Sequence, residues 1–239
     1  MASINFEYLS FVGRVAAGRQ LLDPIEVFYL PEMDTIYPIN SKAGCSTVKL
    51  VLIQKYAPET HLVHPAVHLV DPAELTDERV RRHFFQNIQS YVRFCRGKNV
   101  VLVTRDPYAR QYSAYNNQIS GKVTMHYHYS RLRKALGFDR DLTFGRFVDC
   151  CSRVPARYAD RHYRPQSIYL PGKVRRDALS WSTVDITAFS NLAEGTPEKT
   201  GPILNASGLS LPNSALSLLQ DHRGFQRRYR EDISWYAGA

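Results

Sequence analysis

The chain has 239 residues, 44% of them hydrophobic, enough to bury a full core, and one large domain over 1–239 is expected rather than two. Its 31 Lys and Arg against 22 Asp and Glu give a formal net charge of +9, which favours anionic ligands: nucleotides, acidic glycans, nucleic acid or a membrane surface. Charge by itself does not choose among them. Cys45, Cys95, Cys150 and Cys151 show no Cys-x-x-Cys metal spacing, and an adjacent pair is a poor start for a disulfide framework, so a reducing cytosol is the simplest home. Glu7 and Arg14 interrupt the apolar residues of the first 22 positions, so neither a signal peptide nor stable membrane insertion is expected, and the chain reads as a complete, cytoplasmic protein.

In chain order, residues 6–22 carry a weak helical or mixed apolar pattern and Ile25–Leu30 reads as a strand. Residues 34–50 then read as a short strand ending at Ile39, a small-residue turn through Asn40 to Gly44, and a helix starting at Ser46 or Thr47. Such a turn aims several backbone N–H groups without intrahelical partners at one point, with Lys42 inside it and the Ser46 and Thr47 hydroxyls beside it. That geometry suits a phosphate or phosphosulfate group. A Walker A loop is a poor fit, because its first glycine is missing and Lys42 precedes Gly44. Val48–Tyr56 continues the helix, apolar on more than one side, as expected between a sheet and a second layer.

Residues 57–72, with His61, His64 and His68, read as a loop rich in Pro and His. Pro65 argues against the helix that would gather them into a zinc site, whereas any one imidazole could take a hydroxyl proton at neutral pH. Thr76–Phe94 reads as a covering helix. Val100–Val103 reads as a buried parallel strand, with Asp106 as N-cap and Pro107 at the first position of the following helix. Arg105 then lies at the carboxyl edge of the sheet, where ligands of open α/β folds bind. Arg110 and Ser113, three apart, share a helix face, and if that helix folds back over the strand end Ser113 joins Arg105 as a receptor for a second phosphate; otherwise Arg105 simply pairs with an acid such as Asp106.

Two stretches together, Ile39–Lys49 and Val103–Tyr115, resemble the two cofactor loops of the carbohydrate sulfotransferases, the chondroitin and dermatan 4-O type and its bacterial relatives. The similarity continues through Thr143–Val148, through His162-Tyr163-Arg164-Pro165-Gln166, through Val184–Ile186 as a third strand running on to Phe189–Leu192, and to Tyr229–Tyr236. Ser41 stands where the family usually has proline, and Tyr163 where it has tryptophan. The family's cysteines are absent around residues 168–178.

The resemblance implies a single α/β domain with a central parallel sheet flanked by helices, P-loop-like in its loops. It implies 3′-phosphoadenosine 5′-phosphosulfate (PAPS) as donor, adenosine 3′,5′-bisphosphate (PAP) as product, a carbohydrate acceptor, acidic glycans included, no metal and no nucleic-acid partner. Under it Lys42, Ala43, Gly44, Cys45, Ser46 and Thr47 hold the phosphosulfate, Lys42 stabilises the leaving oxygen, and Arg105 and Ser113 bind the 3′-phosphate. The acceptor base is His68 or His64 ahead of His162, and Arg157, Arg161 and Arg164 form a basic cluster for the acceptor. The run His126–Tyr129 reads as lid or contact packing. Residues 195–208 read as a loop, and Leu216–Tyr229 as one amphipathic helix. Two rival activities stand beside this one: a Mg-nucleotide phosphotransferase and a polyanion-binding module.

Overall fold

A computed structural model describes residues 20–57, 78–116, 142–193 and 210–237, together with Gly13 and Ala17. His61, His64, His68, residues 126–129 and residues 195–208 lie outside the described residues, as does most of the stretch 6–22.

Five strands form one sheet: β1 (Ile25–Leu30), β2 (Thr35–Pro38), β3 (Arg81–Phe85), β4 (Asn99–Thr104) and β5 (Ser180–Asp185). Their order is β3-β1-β2-β4-β5. The sheet is mixed, not parallel as expected. β2, β4 and β5 run parallel, while β1 is antiparallel to both β2 and β3. The reason is the connection from β1 to β2, a short turn over Pro31–Met33 and Asp34, whereas a parallel crossover needs a dozen residues or more. Asp34 adopts the left-handed conformation there, and its carboxylate accepts from Tyr29 at 2.8 Å and Lys98 at 3.0 Å.

Alternation along the strands divides the core between the two faces. Phe28, Leu30 and Val103 pack with Val48, Leu52 and Ile53 of helix α1 (Cys45–Tyr56) and with Phe189 of a later helix. Ile25, Val27, Val100 and Leu102 face the other way, against Tyr91, Val92 and Cys95 of α2 (Ile88–Cys95). Further helices complete the described chain: α3 (Pro107–Tyr115), α4 (Phe144–Arg153), α5 (Gly172–Asp177), α6 (Ile186–Ala193), α7 (Asn213–Asp221), α8 (Arg223–Arg228) and α9 (Arg230–Ala237).

Three expected elements differ. The helix over Thr76–Phe94 is, in its described part, strand β3 followed by α2. β3 supplies the ladder partner that β1 needs on its outer side, and the Asn87 side chain starts α2 by accepting from the Gln89 and Ser90 N–H groups. The third strand ends at Asp185, whose carboxylate accepts the Thr187 N–H at 2.8 Å, so Phe189 belongs to α6 rather than to the strand. The helix over Leu216–Tyr229 is two, interrupted at His222, whose Nδ1 accepts the Phe225 N–H, and a third helix follows from Arg230.

A buried charge cluster fastens α1 to the sheet. Glu26 on β1, 2% exposed, pairs with Lys49 of α1 at 2.7 Å, with Arg82 of β3 at 2.7 Å and with Arg161 at 3.4 Å. Burial alone would raise the Glu26 pKa, but these three cations outweigh it and hold the carboxyl below its ordinary value. Burial pulls Lys49 down against the same attraction. The pair therefore rests on a carboxylate served by several cations rather than on one isolated contact.

Candidate functional site

The carboxyl ends of β2, β4 and β5 lie side by side, and the chain leaves each through a segment rich in polar groups. After β2 the loop 39–44 turns sharply, with Lys42 at φ +65° and Gly44 at φ +69°, both left-handed. Gly44 is the N-cap of α1 and offers no side chain to cap it. The first bond inside the helix is Val48 N–H to the Gly44 carbonyl at 2.9 Å, so the N–H groups of the first turn point out of the helix end. Thr47 Oγ1 is buried there and has no hydrogen-bond partner among the described residues. An uncapped helix end with a nearby cation and an unused hydroxyl is receptive to a phosphate-type anion.

Glycine is required at position 44 on two counts. A Cβ there would lie 2.4 Å from Cδ1 and 2.6 Å from Cγ1 of Ile186, the first residue after β5, and the left-handed backbone adds its own cost. Gly44→Ala is expected to weaken anion binding at the loop, measured by calorimetry. Adding Ile186→Ala should restore the part due to the clash and leave a backbone penalty of about 1 kcal/mol.

Arg105 leaves the end of β4 and turns back toward the loop, its Nη1 donating to the Lys42 carbonyl at 3.2 Å. The two sequence-predicted anion sites therefore adjoin. Lys42 is half-buried, and burial, assisted by the Arg105 and Arg110 charges, pulls its ammonium down to about 8 against the opposing pull of Cys45 and Asp160. Burial lowers Arg105 as well. Two cations held partly out of water with their charge incompletely compensated form a site that gains from an anion. Ser113 is buried on α3, two turns from Asp106, which caps that helix by accepting the Tyr108 N–H at 2.9 Å.

The residues that assemble this site carry no such role in the sequence alone. Arg110, 1% exposed, donates from Nε to the Ser41 carbonyl at 2.9 Å, from Nη1 to the Arg164 carbonyl at 2.8 Å and from Nη2 to the Arg161 carbonyl at 2.9 Å. It thereby ties the loop before Lys42 to the turn that carries His162. Gln166 bridges β2 and β4: its Oε1 accepts from Asn40 Nδ2 at 2.7 Å and from the Arg105 N–H at 3.1 Å, while its Nε2 donates to the Arg105 carbonyl at 2.9 Å. Asp232 of α9 then accepts the Gln166 and Ser167 N–H groups at 2.7 and 2.8 Å. Gln166 and Asp232 lie inside stretches that carried the family resemblance, and that was the available signal.

The basic cluster is only partly available to a ligand. Arg164 is 0% exposed and donates to the Ala159 and Asp23 carbonyls, so it supports the fold rather than an acceptor. Arg161 is engaged by the Asp23 carboxylate at 2.6 Å as well as by Glu26. Arg157 is exposed, its guanidinium lying 4.9 Å from the Tyr158 ring centre. His162 is a third exposed and meets Asp160 Oδ1 at 2.5 Å through Nδ1. Among the described residues no group of three or more His, Cys, Asp or Glu side chains could hold a metal, and no helix is long and apolar enough to cross a membrane.

The profile of the Sulfotransferase family matches residues 32–185, more than half of the chain and the part containing the loop after β2, the Arg105 segment and the His162–Gln166 turn. The chain belongs to the sulfotransferase family. It is an enzyme of that family, and membership points to sulfuryl-transfer chemistry. No curated protein and no solved structure matches this sulfotransferase. A groove of about 500 Å³ lined by Ser152, Pro165, Ser167, Arg228 and Glu231, among others, uses no residue of the Lys42 loop or of α3.

Proposed function

We propose that this sulfotransferase moves the sulfuryl group of PAPS to a hydroxyl of a carbohydrate acceptor by in-line displacement. The observation that carries the reading is the contact between Arg105 and the Lys42 loop, which sets two cationic receptors next to each other. A donor with a phosphosulfate at one end and a separate 3′-phosphate on its ribose needs two such receptors close together. The residues present fit it: an uncapped helix end, a Thr47 hydroxyl with no partner among the described residues, and a glycine where a Cβ would collide with Ile186. In this reading the 42–47 backbone with Ser46 and Thr47 holds the phosphosulfate, and Arg105 with Ser113 holds the 3′-phosphate.

PAPS supplies an activated sulfuryl group; the protein supplies position and charge. Lys42 neutralises the charge that builds on the bridging oxygen as the sulfur–oxygen bond to phosphate breaks. A base takes the acceptor proton as the new oxygen–sulfur bond forms. His64, His68 and His162 are the candidates, the first two outside the described residues. Exposed Arg157 beside Tyr158 favours an acceptor bearing carboxylate or sulfate.

Calorimetry with PAP in the absence of Mg²⁺ tests the reading. Binding that survives chelator and is lost in Arg105→Ala is the expected result. Hydrolysis of ATP that depends on Mg²⁺, without PAP binding, would favour a phosphotransferase instead. Polyanion binding with a steep salt dependence, unchanged in Arg105→Ala, would favour a binding module.

A further inference from the structure

We propose that Asp160 and His162 form a carboxylate–imidazole pair whose Nε2 is the acceptor base, with Asp160 as its positioning residue. This pairing rests on the sulfuryl-donor reading and names the base of that same site. Asp160 Oδ1 accepts the His162 backbone N–H at 2.8 Å and meets the ring at Nδ1, 2.5 Å away. A carboxylate can only accept, so the proton of the neutral ring is on Nδ1 and the lone pair is on Nε2. The Asp160 carbonyl accepts the Tyr163 and Arg164 N–H groups at 3.2 and 2.9 Å, which fixes the turn carrying both side chains.

Position relative to Lys42 follows from Arg110. Its three acceptors are the carbonyls of Ser41, next to Lys42, and of Arg161 and Arg164, which bracket His162. One rigid guanidinium therefore holds the donor loop and the histidine turn together. The Asp160 charge also acts on the Lys42 ammonium, as expected of groups in one site.

The other described histidines are differently occupied. His222 uses both ring nitrogens, Nε2 with Asp149 at 3.1 Å and Nδ1 with the Phe225 N–H at 3.0 Å. His83 packs among Tyr29, Phe85 and Phe94, with Nε2 buried. His162 alone among these three combines a carboxylate partner at Nδ1 with a partly exposed ring.

In the step itself, His162 Nε2 takes the acceptor hydroxyl proton while that oxygen bonds to sulfur. The electron pair of the broken sulfur–oxygen bond leaves with the phosphate of PAP. Asp160 balances the positive charge that the ring acquires.

Two measurements on the full chain test this. Nitrogen-15 NMR of the histidine rings should show neutral His162 protonated at Nδ1, with PAP shifting its ring signals and Asp160→Asn abolishing the tautomer preference. Release of PAP from PAPS, with water and a panel of desulfated glycosaminoglycans and simple glycosides as acceptors, supplies the kinetic test. His162→Ala and His162→Gln should lower kcat by roughly 10²–10⁴-fold with PAP affinity retained, and added imidazole should restore part of the alanine variant's rate. Asp160→Asn should lower kcat without changing KM for PAPS, and Asp160→Glu should recover part of it.

A His162 ring protonated at Nε2, or wild-type turnover in a His162→Ala protein that still binds PAP, would overturn the proposal. Failure of the wild-type chain to bind PAP would overturn the donor reading first, and with it the role of His162 as base.

Discussion

Lys42→Met is expected to lower sulfuryl transfer by roughly 10²–10³-fold, the cost of losing one donor aimed at developing charge, while affinity for PAP changes little. Under the proposed function the asymmetry arises because backbone N–H groups and Arg105 remain to hold the ground state, whereas the ammonium counts most as the bridging oxygen becomes charged. The same substitution should stabilise the ligand-free protein. Below pH 8 the ammonium is charged in both folded and unfolded chains, and the folded state carries the full cost of its burial. Between pH 8 and 10.5 the folded protein releases the proton while the unfolded chain keeps it, so stability rises with pH across that window. The shift corresponds to at most about 3 kcal/mol. Urea unfolding of the two proteins at pH 7 and pH 10 should show Lys42→Met ahead at the lower pH and the gap closing at the higher. A variant less stable than wild type at pH 7 would refute this reading of Lys42. For the wild type, kcat/KM for PAPS should fall as pH rises through about 8, because the free enzyme then loses the cation proposed to meet the donor.

Arg110→Met is expected to produce the largest loss of stability of any single change at the site. It leaves the carbonyls of Ser41, Arg161 and Arg164 without their donor in the interior. At about 1–3 kcal/mol for each unsatisfied group, the cost is on the order of 5 kcal/mol, comparable with the whole stability of a small domain. Arg110→Lys should recover only a minor part, since one ammonium on a flexible stem cannot span acceptors on two chain segments in the fixed geometry of a guanidinium. Urea midpoints at constant m-value measure the effect. PAP affinity should fall in both variants, because the Lys42 loop loses its tie to the His162 turn. A midpoint within experimental error of wild type would show that the three carbonyls find other donors.

The elements legible in the sequence were those set by local chemistry. Ile25–Leu30 and Val100–Val103 appear as strands because their apolar runs are short and β-branched, and Asp106-Pro107 starts α3 as a cap and a proline at the first helical position do anywhere. The turn at Lys42 was legible because small residues between a strand and a helix leave few alternatives. Arg81–Phe85 was misread because its strand identity comes from β1, which has an outer ladder to fill. Arg164 was misread for the same kind of reason: among neighbouring arginines nothing local tells an exposed guanidinium from one turned inward onto the carbonyls of residues 23 and 159.

The sequence by itself determined that this protein places a lysine-bearing turn and an arginine after two separate strands, and that its charge favours anions. Whether those strands are neighbours, and whether their ends face one another, depended on pairings between residues far apart in the chain. β2 lies beside β4, Gln166 joins their ends across more than sixty residues of separation from Arg105, and Arg110 draws in the His162 turn. Only the folded chain decided this, because a hydrogen bond between distant segments leaves no periodicity or cap in the local sequence of either partner.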